Sequence, residues 1–244
     1  MLFRSMNPNG ELVQSAVNAP NAIEIPENFL NEAKRFQELI MMYSCAIREV
    51  KTKLEVLNDD LAVRNQRNPI QMIKSRVKKP GSIIEKLQRR GYPITIQSVY
   101  DNLYDVAGIR VICSFVDDIY QVAEMLARQD DVTVLTVKDY IRCPKDNGYR
   151  SYHMIIEVPV YFSDRKEKMR VEVQIRTIAM DFWASLDHQM KYKKDLEDST
   201  EISEELKECA EIIAQTDLKM LSIRRKIDEK ASPDKQKLLA FDRD

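Results

Sequence analysis

The 244-residue chain predicts an α+β fold, a mixed β-sheet flanked by helices, with a long helix towards either end. Three observations carry this. Apolar residues recur at alternating steps of four and three in two stretches, one near each terminus. Four β-branched, alternating runs lie between those stretches, and an amphipathic segment, Asp118 to Arg128, interrupts them. With 44% hydrophobic residues the chain can bury a full core, and its length suits one domain with appendages.

Residues 1–26 carry Pro8, Gly10, Pro20 and Pro26 among asparagines with little apolar periodicity, and read as a mobile arm. A long helix follows over 27–66, its stripe running Phe29, Ala33, Phe36, Ile40, Tyr43, Ile47, Val50, Leu54, Leu57, Leu61. Such a seam packs on the C-terminal helix of the same chain or on another subunit. Between Lys74 and Arg90, seven Lys or Arg stand against one acid, Glu85. Pro80 and Gly81 break the chain there, and Ser82 is the expected N-cap of a helix that turns Ile83, Ile84 and Leu87 inward. Ser82, Lys86 and Arg89 then share the opposite face at i, i+4 and i+7.

After the Gly91-Tyr92-Pro93 turn and a short helical segment at 98–104, Ile109 to Phe115 reads as the first strand, with Asp105 just before it. Arg110 falls on the face opposite Ile109 and Val111, and Gly108 lets a neighbour approach the backbone. Val132 to Ile141 is a second strand and Met154 to Val160 a third. Between them lies the polar loop K-D-N-G-Y-R-S-Y-H, Lys145 to His153. A Lys-rich turn at 163–168 closes a hairpin onto a fourth strand, where Val171, Val173 and Ile175 alternate with Glu172, Gln174 and Arg176. A helix starts at Thr177 and passes through Trp183 and His188. The second seam, Ile202, Leu206, Cys209, Ile213, Thr216, Met220, Ile223 and Ile227, marks a C-terminal helix over 200–230, and 231–244 reads as a frayed tail.

Composition excludes several function classes. A net charge of −1 and a pI near 6.2 leave no bulk footprint for nucleic acid, so anion binding is local to the basic segment. Four cysteines without C-x-x-C spacing read as free thiols. Neither a secretory leader nor a membrane span is legible, and the expected setting is cytoplasmic. Five glycines, none in a P-loop or dinucleotide fingerprint, disfavour those mechanisms, and two histidines cannot build a histidine–aspartate phosphohydrolase cluster.

What remains is phosphate handling by side chains around a carboxylate-bound metal. Asp105 and Glu172, on neighbouring strands, suit a magnesium ion that borrows phosphate oxygens. The basic helix face suits a polyphosphate, and the 145–153 loop a base and sugar. By pattern alone, the basic face and the Glu172–Gln174–Arg176 row fit a solvated surface at least as well.

Four motifs decide between these readings: R-V-K-K-P-G-S-I-I-E-K at 76–86, Y-D-V-A-G-I-R at 104–110, G-Y-R-S-Y-H at 148–153 and V-E-V-Q-I-R-T at 171–177. Together, over roughly 68–194, they resemble the synthetase domain of the RelA/SpoT family, and the chain length resembles its single-domain small alarmone synthetases. The resemblance implies a nucleotidyltransferase-like sheet and transfer of the β,γ-pyrophosphate of ATP to the 3′-hydroxyl of GDP or GTP, with AMP released and no hydrolase activity. It implies that Arg76 and Arg110 sandwich adenine, that Lys78, Ser82, Lys86 and Arg89 hold the ATP phosphates, and that Asp105 binds magnesium. Glu172 shares the metal or deprotonates the attacking hydroxyl. Tyr149 would stack on guanine, with Lys145, His153, Gln174, Lys138 and Arg176 on acceptor phosphates, sugar or base. A homotetramer is implied as well, with alarmone or single-stranded RNA as candidate allosteric effectors. The rivals are a catalytically silent nucleotide-sensing or RNA-binding module on the same fold, which the presence of both Asp105 and Glu172 disfavours, and an enzyme using an adenine nucleotide or a tRNA 3′ end as acceptor.

Overall fold

The computed structural model describes residues 5–6, 12–13, 27–65, 67–192 and 200–241, with side chains described over 31–64, 67–190 and 202–230. The chain divides into two compact bodies, Met1–Gln37 and Glu38–Asp244. In the first, β1 (Ser5–Met6) pairs antiparallel with β2 (Leu12–Val13), where no regular structure was expected. The sequence between them contains Asn9-Gly10, a strong hairpin signal. The rest of the expected arm, 1–26, lies outside the described residues.

Helix α1 (Glu27–Asn65) buries Leu39, Met42, Tyr43, Ala46, Ile47, Val50, Leu54 and Leu61 along one face. Tyr43, Ile47, Val50, Leu54 and Leu61 belong to the predicted stripe. Polar contacts tie the helix down. Lys53 Nζ donates to Asp131 Oδ1 and Oδ2 at 2.7 and 2.6 Å, and the Ile70 backbone N–H donates to Asn58 Oδ1 at 3.0 Å.

The main sheet has five strands: β3 (Ile70–Val77), β4 (Ala107–Cys113), β5 (Thr133–Asp139), β6 (Tyr152–Tyr161) and β7 (Lys166–Thr177), in the spatial order β3-β4-β7-β6-β5. Only the central β4–β7 pair is parallel. Strand β3 was not foreseen. It is an edge strand whose only fully buried residue is Ile70, so its lysine and arginine mask the alternation. Strand β4 ends two residues earlier than expected because Asp118 Oδ2 accepts the Phe115 N–H at 3.1 Å and so starts helix α4 (Val116–Ala127) at once.

One face of the sheet is core. Ile109, Val111, Met154, Ile156, Val158, Val171, Val173 and Ile175 are all buried, and α4 covers β4 and β7 with Ile119, Val122 and Leu126. Each such side chain contributes about 1.5–3 kcal/mol by leaving water. The other face is left open to build a site.

Helix α2 (Pro80–Arg89) starts after Lys79 with Pro80 in its first turn, so Ser82 is an exposed first-turn residue rather than the N-cap. Proline's fixed φ and missing N–H fit the first helical position. Ile83 and Leu87 are buried while Ile84 stays exposed. After α3 (Ile96–Asn102) and the strands, helix α5 (Ile178–Tyr192) is capped by Thr177, whose Oγ1 accepts the Met180 N–H at 3.0 Å.

Helix α6 (Thr200–Phe241) packs on α5 and α4 through Ala210, Asp217 and Leu221, and Trp183 Nε1 donates to Leu206 O at 2.8 Å. The expected seam is therefore displaced: Ile202, Met220, Ile223 and Ile227 are exposed, while Ala210, Asp217 and Leu221, spaced at seven and four, take the buried face. The helix also runs on to Phe241 where a frayed tail from 231 was expected, its sequence there rich in lysine, leucine and alanine, good helix formers. Among the described residues no helix is long and apolar enough to cross a membrane.

Candidate active site

The register of the open face places the functional side chains in two rows. One row runs across all five strands as Lys74, Arg110, Gln174, His153 and Lys138; the next runs Arg76, Gly108, Glu172, Ile155 and Thr136. The alternation that puts Ile109 and Val173 in the core thus puts cations, an amide and a carboxylate side by side on the far face. Between Arg76 and Glu172 in the second row Gly108 presents no side chain, and the floor there is backbone.

Two cavities open on this face. Lys74, Arg76, Gly108, Arg110 and Gln174 line the first, while Lys86, Arg90, Tyr104, Lys138, Tyr140, Lys145 and His153 line the second. Asp105 and Glu172 line both, and so stand on the divide.

Asp105 Oδ2 accepts from Lys78 Nζ and from Lys86 Nζ, both at 2.6 Å, while its Oδ1 is buried and accepts nothing. Burial pushes the Asp105 carboxyl up, but the hydrogen bonds and charges of the two lysines outweigh it and hold the group below the usual range. Lys86 is in turn drawn down by burial, against the pull of Asp105. Glu172 follows the same logic. Its Oε1 lies 3.5 Å from His153 Nδ1 and its Oε2 accepts from Gln174 Nε2 at 3.0 Å. Burial raises its pKa and these partners more than cancel the effect, leaving it lowered.

A relay leads from Glu172 into the 145–153 loop. Tyr149 Oη lies 2.8 Å from His153 Nε2 and accepts a hydrogen bond from Arg176 Nη2. One assignment satisfies every partner: Tyr149 donates to Nε2, and His153 carries its proton on Nδ1, towards Glu172. Lys145 Nζ sits 4.8 Å from the ring centroids of both Tyr140 and Tyr149, and the Arg176 guanidinium lies 5.0 Å from that of Tyr149. The loop itself is fixed to α6. Gly148 has φ of +82°, and Arg150 donates to Gly148 O, Ala210 O and both carboxylate oxygens of Glu211.

Most residues expected at the site converge here. Arg76, Arg110 and Gln174 meet in the first cavity, and Lys86, Lys138, Lys145 and His153 in the second, with Lys78 reaching in through Asp105. Gln174 was expected among the acceptor contacts, yet it lines the cavity of Arg76 and Arg110, since its register partner on β4 is Arg110. Tyr149 and Arg176 stand behind the lining residues. Ser82 and Arg89 are exposed and line neither cavity, because the turn of α2 that brings Lys86 to Asp105 brings Arg90 with it instead. Sequence reasoning also passed over Lys74, Tyr104, Tyr140 and Asp181. Lys74 could have been found from its i, i+2 relation to Arg76 had β3 been recognised, whereas nothing in the sequence marks Asp181.

A mixed sheet bearing two cavities divided by paired carboxylates, one bordered by arginines and the other by lysines and aromatics, defines a protein that handles two anionic ligands side by side. The chain belongs to the RelA/SpoT family: residues 75–197 match the model described as the region found in RelA/SpoT proteins. It is 44% identical over 189 residues to the GTP pyrophosphokinase YwaC of Bacillus subtilis, covering 78% of this chain and 90% of that protein. Among solved structures it is similar to small alarmone synthetase 2 of Bacillus subtilis, with a TM-score of 0.71, 43% identity and coverage of 78% of this chain and 98% of that one. It is also similar to small alarmone synthetase 1 of that organism bound to its product pppGpp, with a TM-score of 0.73, 34% identity and coverage of 80% and 98%.

Proposed function

We propose that this chain is a GTP/GDP pyrophosphokinase. It transfers the β,γ-pyrophosphate of ATP to the 3′-hydroxyl of GDP or GTP, forming ppGpp or pppGpp and releasing AMP. The observation that carries this reading is the pair of cavities meeting at Asp105 and Glu172. Reaction between two bound nucleotides needs a shared boundary where the reacting oxygen and phosphorus meet, and these carboxylates occupy it.

In the first cavity Arg76 and Arg110 take the adenine by guanidinium stacking, as their flat, delocalised cations favour. Lys78 and Lys86, now neutralised by Asp105, turn their charge to the ATP phosphates, with Ser82 and Arg89 assigned to the same phosphates from the exposed face of α2. At the second cavity guanine stacks on Tyr149 once Lys145 leaves the ring for the acceptor phosphates, with Lys138 and His153 completing the clamp, Arg176 backing the Tyr149 ring from the buried side and Gln174 reaching the acceptor from the divide. Glu172 takes the proton of the 3′-hydroxyl as its oxygen bonds to the β-phosphorus and the bond between that phosphorus and the α–β bridging oxygen breaks. Positioning and charge neutralisation supply most of the rate.

The donor set fits magnesium. Asp105 Oδ1 is a buried oxygen without a hydrogen-bond partner, Glu172 faces the same divide, and no group of three or more protein ligands occurs among the described residues. That matches an ion held by one or two carboxylates plus substrate phosphates. When bound, it neutralises charge on the phosphates at the divide. We further propose a homotetramer, which the exposed Ile178, Phe182 and Leu186 on α5 support, and residence in the cytoplasm, where ATP and GTP are abundant. Light scattering checks the assembly, and a monomer would overturn it.

The test of function is incubation of the purified chain with ATP, GDP and magnesium, followed by anion-exchange separation. Equal amounts of AMP and ppGpp are expected. ADP with no guanosine product, or transfer to an adenine nucleotide in preference to GDP, would overturn the reading.

A further inference from the structure

Asp181 sits in the first turn of α5 and is 9% exposed, yet three cations from three different strands converge on it. Its Oδ1 accepts from Arg110 Nη1 at 3.1 Å and from Arg176 Nη1 at 3.3 Å, and its Oδ2 lies 3.7 Å from Lys74 Nζ. These cations belong to different parts of the site. Lys74 and Arg110 line the first cavity, whereas Arg176 donates to the Tyr149 phenol beside the second and to Oε1 of Gln174, which lines the first.

Like charges brought this close repel, and the Arg176 guanidinium is almost fully buried at 4% side-chain exposure. Without an anion between them, Arg110 would be free to swing outward, and Arg176 would keep neutral acceptors, Ser151 Oγ, Gln174 Oε1 and the Tyr149 phenol, but no charge to hold its Nη1. A single carboxylate shared by both removes that freedom.

We infer that Asp181 is a positioning residue that couples the two nucleotide sites: its carboxylate aims Arg110 across the first cavity and, through Arg176, fixes Tyr149 beside the second. The inference deepens the pyrophosphokinase reading and rests on its assignment of the two cavities. A plainer role also exists, since an acidic residue near a helix N-terminus stabilises the helix through its dipole. The two roles differ in what they move. Helix stability shifts melting alone, while positioning shifts affinity for both nucleotides.

The experiment is calorimetric binding of a non-hydrolysable ATP analogue and, separately, of GDP to the full chain, alongside melting temperatures. Asp181→Asn is expected to weaken each nucleotide by at least about fivefold. Asp181→Glu, which keeps the charge, is expected to recover both. Thr177→Val, which removes the α5 cap, should lower the melting temperature and leave both affinities in place. Weakening of one nucleotide alone, of neither, or an equal loss in Thr177→Val at matched melting temperature would overturn the inference. Wild-type chain that binds both nucleotides but forms no ppGpp would overturn the pyrophosphokinase reading, while the binding comparison would still decide the role of Asp181. Failure of the wild type to bind either nucleotide would overturn both.

Discussion

Asp105 has two lysine ammoniums on one oxygen and nothing on the other. Asp105→Asn keeps the shape but leaves Lys78 and Lys86 without a counter-charge in a half-buried setting. Pyrophosphate transfer should fall by about two to three orders of magnitude, with stability lowered by about 1–3 kcal/mol. Glu172→Gln should lose transfer to a similar degree while its hydrogen-bonding neighbours largely keep the fold. Initial rates and urea melts check both, and ppGpp formation at the wild-type rate by either variant would refute the assignment of these carboxylates. Tyr149 separates ring from hydroxyl. Tyr149→Ala should weaken guanine nucleotide by about 1–3 kcal/mol, as loss of base stacking does elsewhere, with the KM for ATP unchanged. Tyr149→Phe, which keeps the ring and loses the contacts to Arg176 and His153, should cost less; equal losses would mean that the hydroxyl, not stacking, is what matters.

At the scale of elements, the 145–153 loop and α6 act together. Gly148 combines a positive φ with a close approach in which a Cβ would stand 2.6 Å from the Cβ of Ala210. Gly148→Ala therefore faces backbone strain of about 1–3 kcal/mol and must also push the loop off the helix. The expected result is a raised KM for GDP, an ATP KM near the wild type and a lower melting temperature. Adding Ala210→Gly removes the clash and should return part of the GDP affinity while the φ penalty on melting stays. An unchanged GDP KM in the single variant would show that the loop's seat on α6 does not shape the acceptor cavity.

For the whole molecule, pH dependence follows from three carboxylates, two half-buried and one buried, whose pKa values shift in opposite directions. Asp105 and Glu172 have lowered pKa values in the fold, so their stabilisation is fully present above the ordinary carboxylate range and is lost as pH falls through their folded values. Asp217 is raised, chiefly by burial and against the hydrogen bond from Thr177 Oγ1. Its contribution is present below the ordinary range and lost as pH rises through its folded value. Melting temperature should thus decline on the acid side, less steeply in Asp105→Asn, and Asp217→Asn should gain stability relative to wild type at pH 8 more than at pH 4. A parallel acid slope in Asp105→Asn would contradict this.

Local pattern determined much of this protein. The alternation in β4 and β7 put Arg110, Glu172 and Gln174 opposite the core, and four motifs gave the family and several of the residues that line the two cavities, because side-chain period and sequence spacing are properties of short segments. Where a segment's burial depended on distant neighbours, the sequence was silent. Edge strand β3 looked like a basic stretch, the buried face of α6 was displaced from the predicted seam, and Asp181 looked like any acid in a helix. Only the tertiary structure decided that β4 and β7 lie parallel and adjacent, which sets Asp105 and Glu172 on one divide. It alone brought Lys74, Arg110 and Arg176 to one carboxylate, because convergence of groups from separate strands is fixed by sheet order and register, which no single stretch of chain encodes.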